Sequence, residues 1–141
     1  TIKKIIMIRI LIISLTLLTL VGCSSDEQIG EMIANGKLLY AENCASCHGG
    51  SLEGQSNWNK DLDKDGHRLA PPLNGTGHSW HHSPNQLFQM IKYGLDIIDP
   101  NYEGKMIGNE NLTDEEISSL LEYIKSVWPE NIRKEYETIH K

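Results

Sequence analysis

Two cysteines and a histidine, in the run Cys44-Ala45-Ser46-Cys47-His48, constrain this chain more than any other feature of its sequence. The C-x-x-C-H spacing is that of a covalent attachment site for c-type haem. Two thiols about one helical turn apart can each close a thioether on one haem vinyl group, and the adjoining His48 then turns an imidazole nitrogen toward the iron. Two other uses of a C-x-x-C pair fit less well. A zinc site normally needs a second pair of Cys or His ligands at suitable spacing, whereas the remaining cysteine, Cys23, lies far upstream. A thioredoxin-type redox pair sits at the end of a strand in a βαβ pattern, and no strong strand signal surrounds residue 44. The expectation is one haem c, bound through Cys44, Cys47 and His48.

The amino-terminal stretch carries Lys3, Lys4 and Arg9, then a run from Ile10 to Val21 that is almost wholly apolar and uncharged. Such a run is short for a membrane span and reads as the apolar region of a signal peptide over residues 1–22. It ends in Leu20-Val21-Gly22-Cys23, which resembles the bacterial lipobox, where the chain is cut before the cysteine and that cysteine is acylated. A plain secretory signal with an incidental cysteine is the alternative. The expectation is a protein exported to the cell envelope and lipid-anchored through Cys23, at the outer face of the cytoplasmic membrane. Residues 23–29 would then be a tether, 30–129 a domain and 130–141 a charged tail that either continues as a surface helix or frays.

Cleavage before Cys23 leaves 119 of 141 residues, enough for one small domain. None of the 19 acidic residues and three of the 13 basic ones lie in the leader, so the remainder has a formal charge of −9. That charge argues against nucleic acid and favours redox protein partners with a basic docking patch, although an acidic surface also serves solubility. Export permits disulfides, yet haem takes Cys44 and Cys47 and lipid takes Cys23, which accounts for all three cysteines.

Helical signals flank the haem motif. From Gly30 to Asn43 the residues Met32, Ile33, Ala34, Leu38, Leu39 and Tyr40 suit an amphipathic helix. Gly36 interrupts it, and a close crossing by a second helix would compensate. Thr113 and Glu116 form a capping box, Leu112 and Ile117 a hydrophobic staple. Ile117, Leu120, Leu121, Ile124, Val127 and Trp128 follow at helical spacing until Pro129, with Tyr123 at the margin of that face. Pro84 to Tyr93 reads as a short helix carrying Leu87, Met90 and Ile91, with Gly94 as its C-cap. Gly49 to Gly77 reads as a long loop wrapped on the haem. Within it, Asp61-Leu62-Asp63-Lys64-Asp65-Gly66 matches the opening of an EF-hand loop, but position 12 is Pro72, so a solvated turn is the first reading and a weak calcium site the second.

From Gly30 to about Trp128 the chain resembles a small bacterial class I cytochrome c. The resemblance implies an all-α fold in which amino- and carboxy-terminal helices cross around one covalent haem, with long intervening loops. It also implies that a carbonyl of Pro71 or Pro72, with Pro72 taken as the site residue, holds the ring of His48. Met106 lies where the family places its axial methionine, although Ile107 stands where proline usually follows. His78, His81 and His82 are the competing ligands, or else hydrogen-bond at the surface or haem edge. Trp58 and Trp80 would donate to haem propionates or cover the ring. The implied function is single-electron transfer without a small-molecule substrate. A haem enzyme or gas sensor with an open distal position, and a fixed subunit of a larger respiratory complex, are the alternatives.

Overall fold

Gly36 sits in mid-helix, where a glycine costs about 1 kcal/mol relative to alanine, and a computed structural model shows what compensates. A Cβ placed on Gly36 would lie 2.0 Å from the Ser119 carbonyl oxygen and 2.9 Å from Tyr123 Cβ. Two helices cross here with their backbones nearly touching. They are α1 (Ser24–Asn43) and, late in the chain, the helix Asp114–Ser126. The expected crossing near Gly36 is the observed one.

The structure describes residues 24–141. The leader read over residues 1–22 and the lipidation site at Cys23 lie outside the described residues. No helix among the described residues is long and apolar enough to cross a membrane. The chain divides into two units, residues 1–30 and 31–141. The apolar core and the haem motif belong to the second.

After α1 come α2 (Ala45–His48), α3 (Pro84–Tyr93), α4 (Asp114–Ser126) and α5 (Glu130–Ile139), with 3₁₀ turns at Ser79–His81 and Leu95–Ile97. The described residues contain no strand, only isolated bridges between Leu62 and Arg68 and between Gly94 and Ile107. The fold is all-α. Both later start signals are complete capping boxes: Ser83 with Gln86 for α3, and Thr113 with Glu116 for α4. Each pair satisfies two orphan N–H groups at a helix start. Tyr40, Leu52, Ile117 and Leu120 are the most deeply buried side chains, with Leu87, Met90, Ile124 and Trp128 around them. The Tyr40 and Tyr123 rings meet at 5.6 Å across the α1–α4 crossing.

Four sequence expectations change. Residues 24–29, read as a tether, are the opening turns of α1, where Asp26 and Glu27 favour the positive helix end. Leu38 is 66% exposed, because two residues past Gly36 is about 200° around the helix and points away from the crossing. Val127 is exposed as the C-cap of α4, while Tyr123, placed at the margin, is buried at the crossing itself. The charged tail is helix α5. Its Tyr136 is buried edge-on against Trp128 with ring centres 5.1 Å apart, so the packed structure extends beyond residue 129.

The crossing gives a prediction with an internal control. Gly36→Ala should lower unfolding stability by about 1–3 kcal/mol, since a backbone contact cannot yield to the added methyl. Gly30→Ala, with open space around it, should leave stability equal or higher by up to about 1 kcal/mol. Chemical denaturation of both variants followed by far-UV circular dichroism measures the difference.

Candidate functional site

The haem motif starts where α1 ends. Cys44 N–H bonds the Tyr40 carbonyl at 2.9 Å, Cys44 caps the single turn α2, and His48 N–H returns to the Cys44 carbonyl at 2.9 Å. Cys44 is half-buried and Cys47 exposed, and neither is in a disulfide. Burial, and then the neighbouring Cys47, push the Cys44 thiol up to about 11, so it is a protonated S–H at neutral pH. Cys44 and Cys47 are the residues that would hold a haem, through thioethers to its two vinyl groups. Gly49 closes the motif at φ +81°, and its carbonyl accepts from the Tyr40 hydroxyl at 2.7 Å. Tyr40 thereby fastens the far end of the motif to the helix crossing.

His48 is 8% exposed and its Nδ1 lies 2.8 Å from the carbonyl oxygen of Pro71. A carbonyl only accepts, so Nδ1 carries the proton and Nε2 keeps its lone pair. Burial lowers the pKa of the ring, and the Pro71 bond opposes that shift without cancelling it. The result is a neutral imidazole of defined tautomer, which is what a metal ligand requires. The carbonyl at His48 belongs to Pro71 and not to Pro72. The Pro72 carbonyl instead lies against Gly77, where a Cβ would come within 2.2 Å of its oxygen. Gly54 makes the arrangement possible. At φ +69° its backbone passes so close to the Pro71–Pro72 peptide that a Cβ would lie 2.5 Å from Pro72 N. Leu52 supports the same loop, burying its side chain at the strained φ of +59° while its carbonyl accepts from Leu73 N–H at 2.8 Å.

Met106 is half-buried in the loop between the 3₁₀ turn at Leu95–Ile97 and α4. Its N–H donates to the Tyr102 hydroxyl at 3.0 Å, its carbonyl accepts from Leu95 N–H at 3.1 Å, and the Gly94–Ile107 bridge follows. Backbone pairing thus holds the position after Met106, where Ile107 stands in place of proline. Of the other methionines in the described residues, Met90 is buried in the core and Met32 lies beside Ser118 and Ser119 of α4.

The histidine candidates are engaged with aromatic neighbours. His78 stacks on Trp58 at 5.4 Å, His81 on Trp80 at 3.7 Å, and His82 meets His78 edge-on at 5.8 Å. Among the described residues no three His, Cys, Asp or Glu side chains are grouped to hold a metal ion. Trp80 donates its indole N–H to the Gly77 carbonyl at 3.1 Å. Ser79 has a buried hydroxyl with no hydrogen-bond partner among the described residues. In the acidic turn, read first as solvated, Asp63 and Asp65 both accept from Lys105 Nζ, the latter at 3.0 Å.

Two contacts escaped sequence reading. The Tyr40–Gly49 bond is a nine-residue link that no spacing rule marks. The Lys105 pairs span 40 and 42 residues, and only the carboxylate turn at one end left a signal. Taken together, the paired cysteines at 44 and 47 and a buried neutral imidazole whose Nδ1 is committed to Pro71 suit a covalently bound haem.

Comparison with known proteins agrees. The family model described as "Cytochrome c" matches residues 33–128. The chain is 28% identical over 99 residues to cytochrome c-555 of Prosthecochloris aestuarii, covering 65% of this chain and 84% of the relative. It is 34% identical over 98 residues to the fructose dehydrogenase cytochrome subunit of Gluconobacter japonicus, covering 65% of this chain but 18% of that longer protein. No solved structure matches it.

The histidine cluster makes stability depend on acid. Burial first, and then neighbouring positive groups, lower the pKa of both His78 and His82. A base with a folded pKa below its unfolded value takes up protons on unfolding, so its contribution is intact above about pH 6.5 and is lost as pH falls from there through the lower folded value. The melting temperature should therefore drop between pH 7.5 and 5.5. His78→Asn with His82→Asn should flatten that slope in differential scanning calorimetry.

Proposed function

This chain belongs to the cytochrome c family, binds haem c covalently and transfers electrons, and on that premise we propose that it is an exported, lipid-anchored single-electron carrier with His48 and Met106 as axial ligands. The observation that carries the ligand assignment is the His48 tautomer, with Nδ1–H committed to Pro71 and Nε2 free to bind iron. Haem iron bound there exchanges one electron between the ferrous and ferric states. The residues provide the setting. Cys44 and Cys47 would hold the macrocycle by two bonds, His48 is kept neutral and oriented, and the Tyr102–Met106 hydrogen bond and the Gly94–Ile107 bridge hold the loop whose Met106 would supply a thioether. A soft thioether sulfur favours the ferrous state and raises the potential relative to a second histidine. Met106 as sixth ligand would fill the second axial position, and the rival reading of an enzyme or gas sensor needs the Met106 loop to open.

Anchoring rests on the lipobox-like Leu20-Val21-Gly22-Cys23, and a basic docking patch on a partner would complement the acidic charge. A second arrangement is favoured by one relative. Its name places a similar cytochrome region within a dehydrogenase, so this chain could pass electrons as part of a larger assembly.

The oxidised protein should show the methionine-to-iron charge-transfer band at about 695 nm, and Met106→Ala should abolish it and lower the reduction potential. A parent without the band whose reduced form binds carbon monoxide would instead be an open-site protein, and one without either would point to the 78–82 histidines. Separately, Cys23→Ser should move the protein from the membrane fraction to the soluble fraction.

A further inference from the structure

The loop that carries Met106 is held on its two sides by different kinds of interaction. On the side of α3 it is held by backbone pairing, through Leu95 N–H, the Gly94–Ile107 bridge, and Asn109 N–H to the Ile91 carbonyl at 2.9 Å. Toward the long loop 49–78 the polar links among the described residues are those of Lys105, whose Nζ reaches Asp63 Oδ2 and, at 3.0 Å, Asp65 Oδ2. Lys105 is the residue immediately before Met106.

The receiving turn is built before the lysine arrives. Asp63 Oδ1 accepts from the backbone N–H groups of Asp65 and His67, both at 2.9 Å, while Asp63 N–H bonds the His67 carbonyl at 2.8 Å. The Leu62–Arg68 bridge closes the turn behind them. One carboxylate oxygen is therefore fixed by backbone, and the other is presented outward. The Asp63 side chain keeps 19% of its exposure, against 48% for Asp65 and 56% for Lys105. An ordinary exposed ion pair gains little, because two long side chains must be ordered to form it. Here the acceptor is already ordered, so only the lysine side chain is restrained. The same loop supplies the Pro71 carbonyl to His48, held there by Ala70 N–H to Gln55 Oε1 at 2.7 Å.

We propose that Lys105 is a positioning residue that clamps the Met106 loop to the Asp63–Asp65 turn and so keeps the Met106 thioether on the iron. The proposal rests on the reading of Met106 as the sixth ligand. A clamp of exposed charges acts on local opening of the loop more than on global unfolding, since only the loop needs to leave for the thioether to depart. It makes release of methionine sensitive to salt.

The test uses the haem-loaded ferric protein and imidazole as the incoming ligand, with loss of the 695 nm band followed by stopped flow. Lys105→Gln and Asp63→Asn should each raise the rate of methionine displacement by roughly three- to tenfold. They change the charge in opposite senses, so a shared direction separates loss of a clamp from a field effect on the iron. The double variant should be no faster than the faster single, and Lys105→Arg should restore most of the parental rate. Raising salt from about 20 mM to about 500 mM should accelerate the parent and leave Lys105→Gln nearly unchanged. Faster hydrogen exchange at Met106 N–H in Lys105→Gln should accompany the change. If the parent shows the band and the single variants keep its displacement rate, move it in opposite directions, or add in the double variant, the clamp is overturned while the ligand stands. If the parent lacks the band, the ligand reading fails and takes the clamp with it.

Discussion

The hydrogen bond from His48 Nδ1–H to the Pro71 carbonyl is the interaction on which the rest of the site depends. A buried histidine without such a partner could adopt either tautomer and rotate about its ring axis, and its Nε2 would have no fixed direction. The bond settles the tautomer, the orientation and the basicity of the ring together. Its cost is carried by the backbone around it. Pro71 can approach only if the chain at Gly54 passes at a distance no Cβ would permit, and Leu52 must hold a left-handed conformation that leucine seldom adopts. Burial of the Leu52 side chain at 2% exposure offsets that strain, at about 1.5–3 kcal/mol for a full leucine.

The helix crossing supplies the other fixed point. Tyr40 packs on Tyr123 across it and sends its hydroxyl to the Gly49 carbonyl, so the residue after His48 is tied to the best-packed part of the molecule. Trp128 does the same for the far loop, donating its indole N–H to the Leu73 carbonyl at 2.8 Å two residues beyond Pro71. His48 and its acceptor are therefore each tethered to the aromatic core. Helix α5 extends that core by setting Tyr136 against Trp128, and His140 Nε2 lies 3.4 Å from the Trp80 carbonyl.

What the sequence made legible was short in range. Capping boxes, helical periodicity, the C-cap at Gly94 and the C-x-x-C-H spacing are all relations among residues a few positions apart. Gly36 was readable because a mid-helix glycine needs a reason, and the strongest apolar helix face was at hand to supply it. The mistakes have the same origin. Leu38 and Val127 counted toward apolar faces by residue type, while the angle around the helix excluded Leu38 and the C-cap position excluded Val127. Pro72 was taken for Pro71 because two adjacent prolines are indistinguishable until Gly54 decides which carbonyl is free. The turn at Asp61–Gly66 looked suited to calcium for a sound reason: carboxylates two residues apart converge and attract a cation. Nothing local says whether that cation is a metal ion or a lysine 40 residues away.

The two sides of the haem site are thus held by different physics. On the His48 side the restraints are hydrogen bonds with little water access, anchored in aromatic packing, and salt barely screens such interactions. On the Met106 side, backbone pairing secures one edge and exposed charges face the other. An electron carrier needs both axial ligands to stay in place when the iron changes charge, because any rearrangement adds to the barrier for transfer. On the proposed ligation by His48 and Met106, a proximal side held by buried hydrogen bonds and a distal loop restrained by screenable charges would concentrate opening at the Met106 loop, with the His48–Pro71 bond kept.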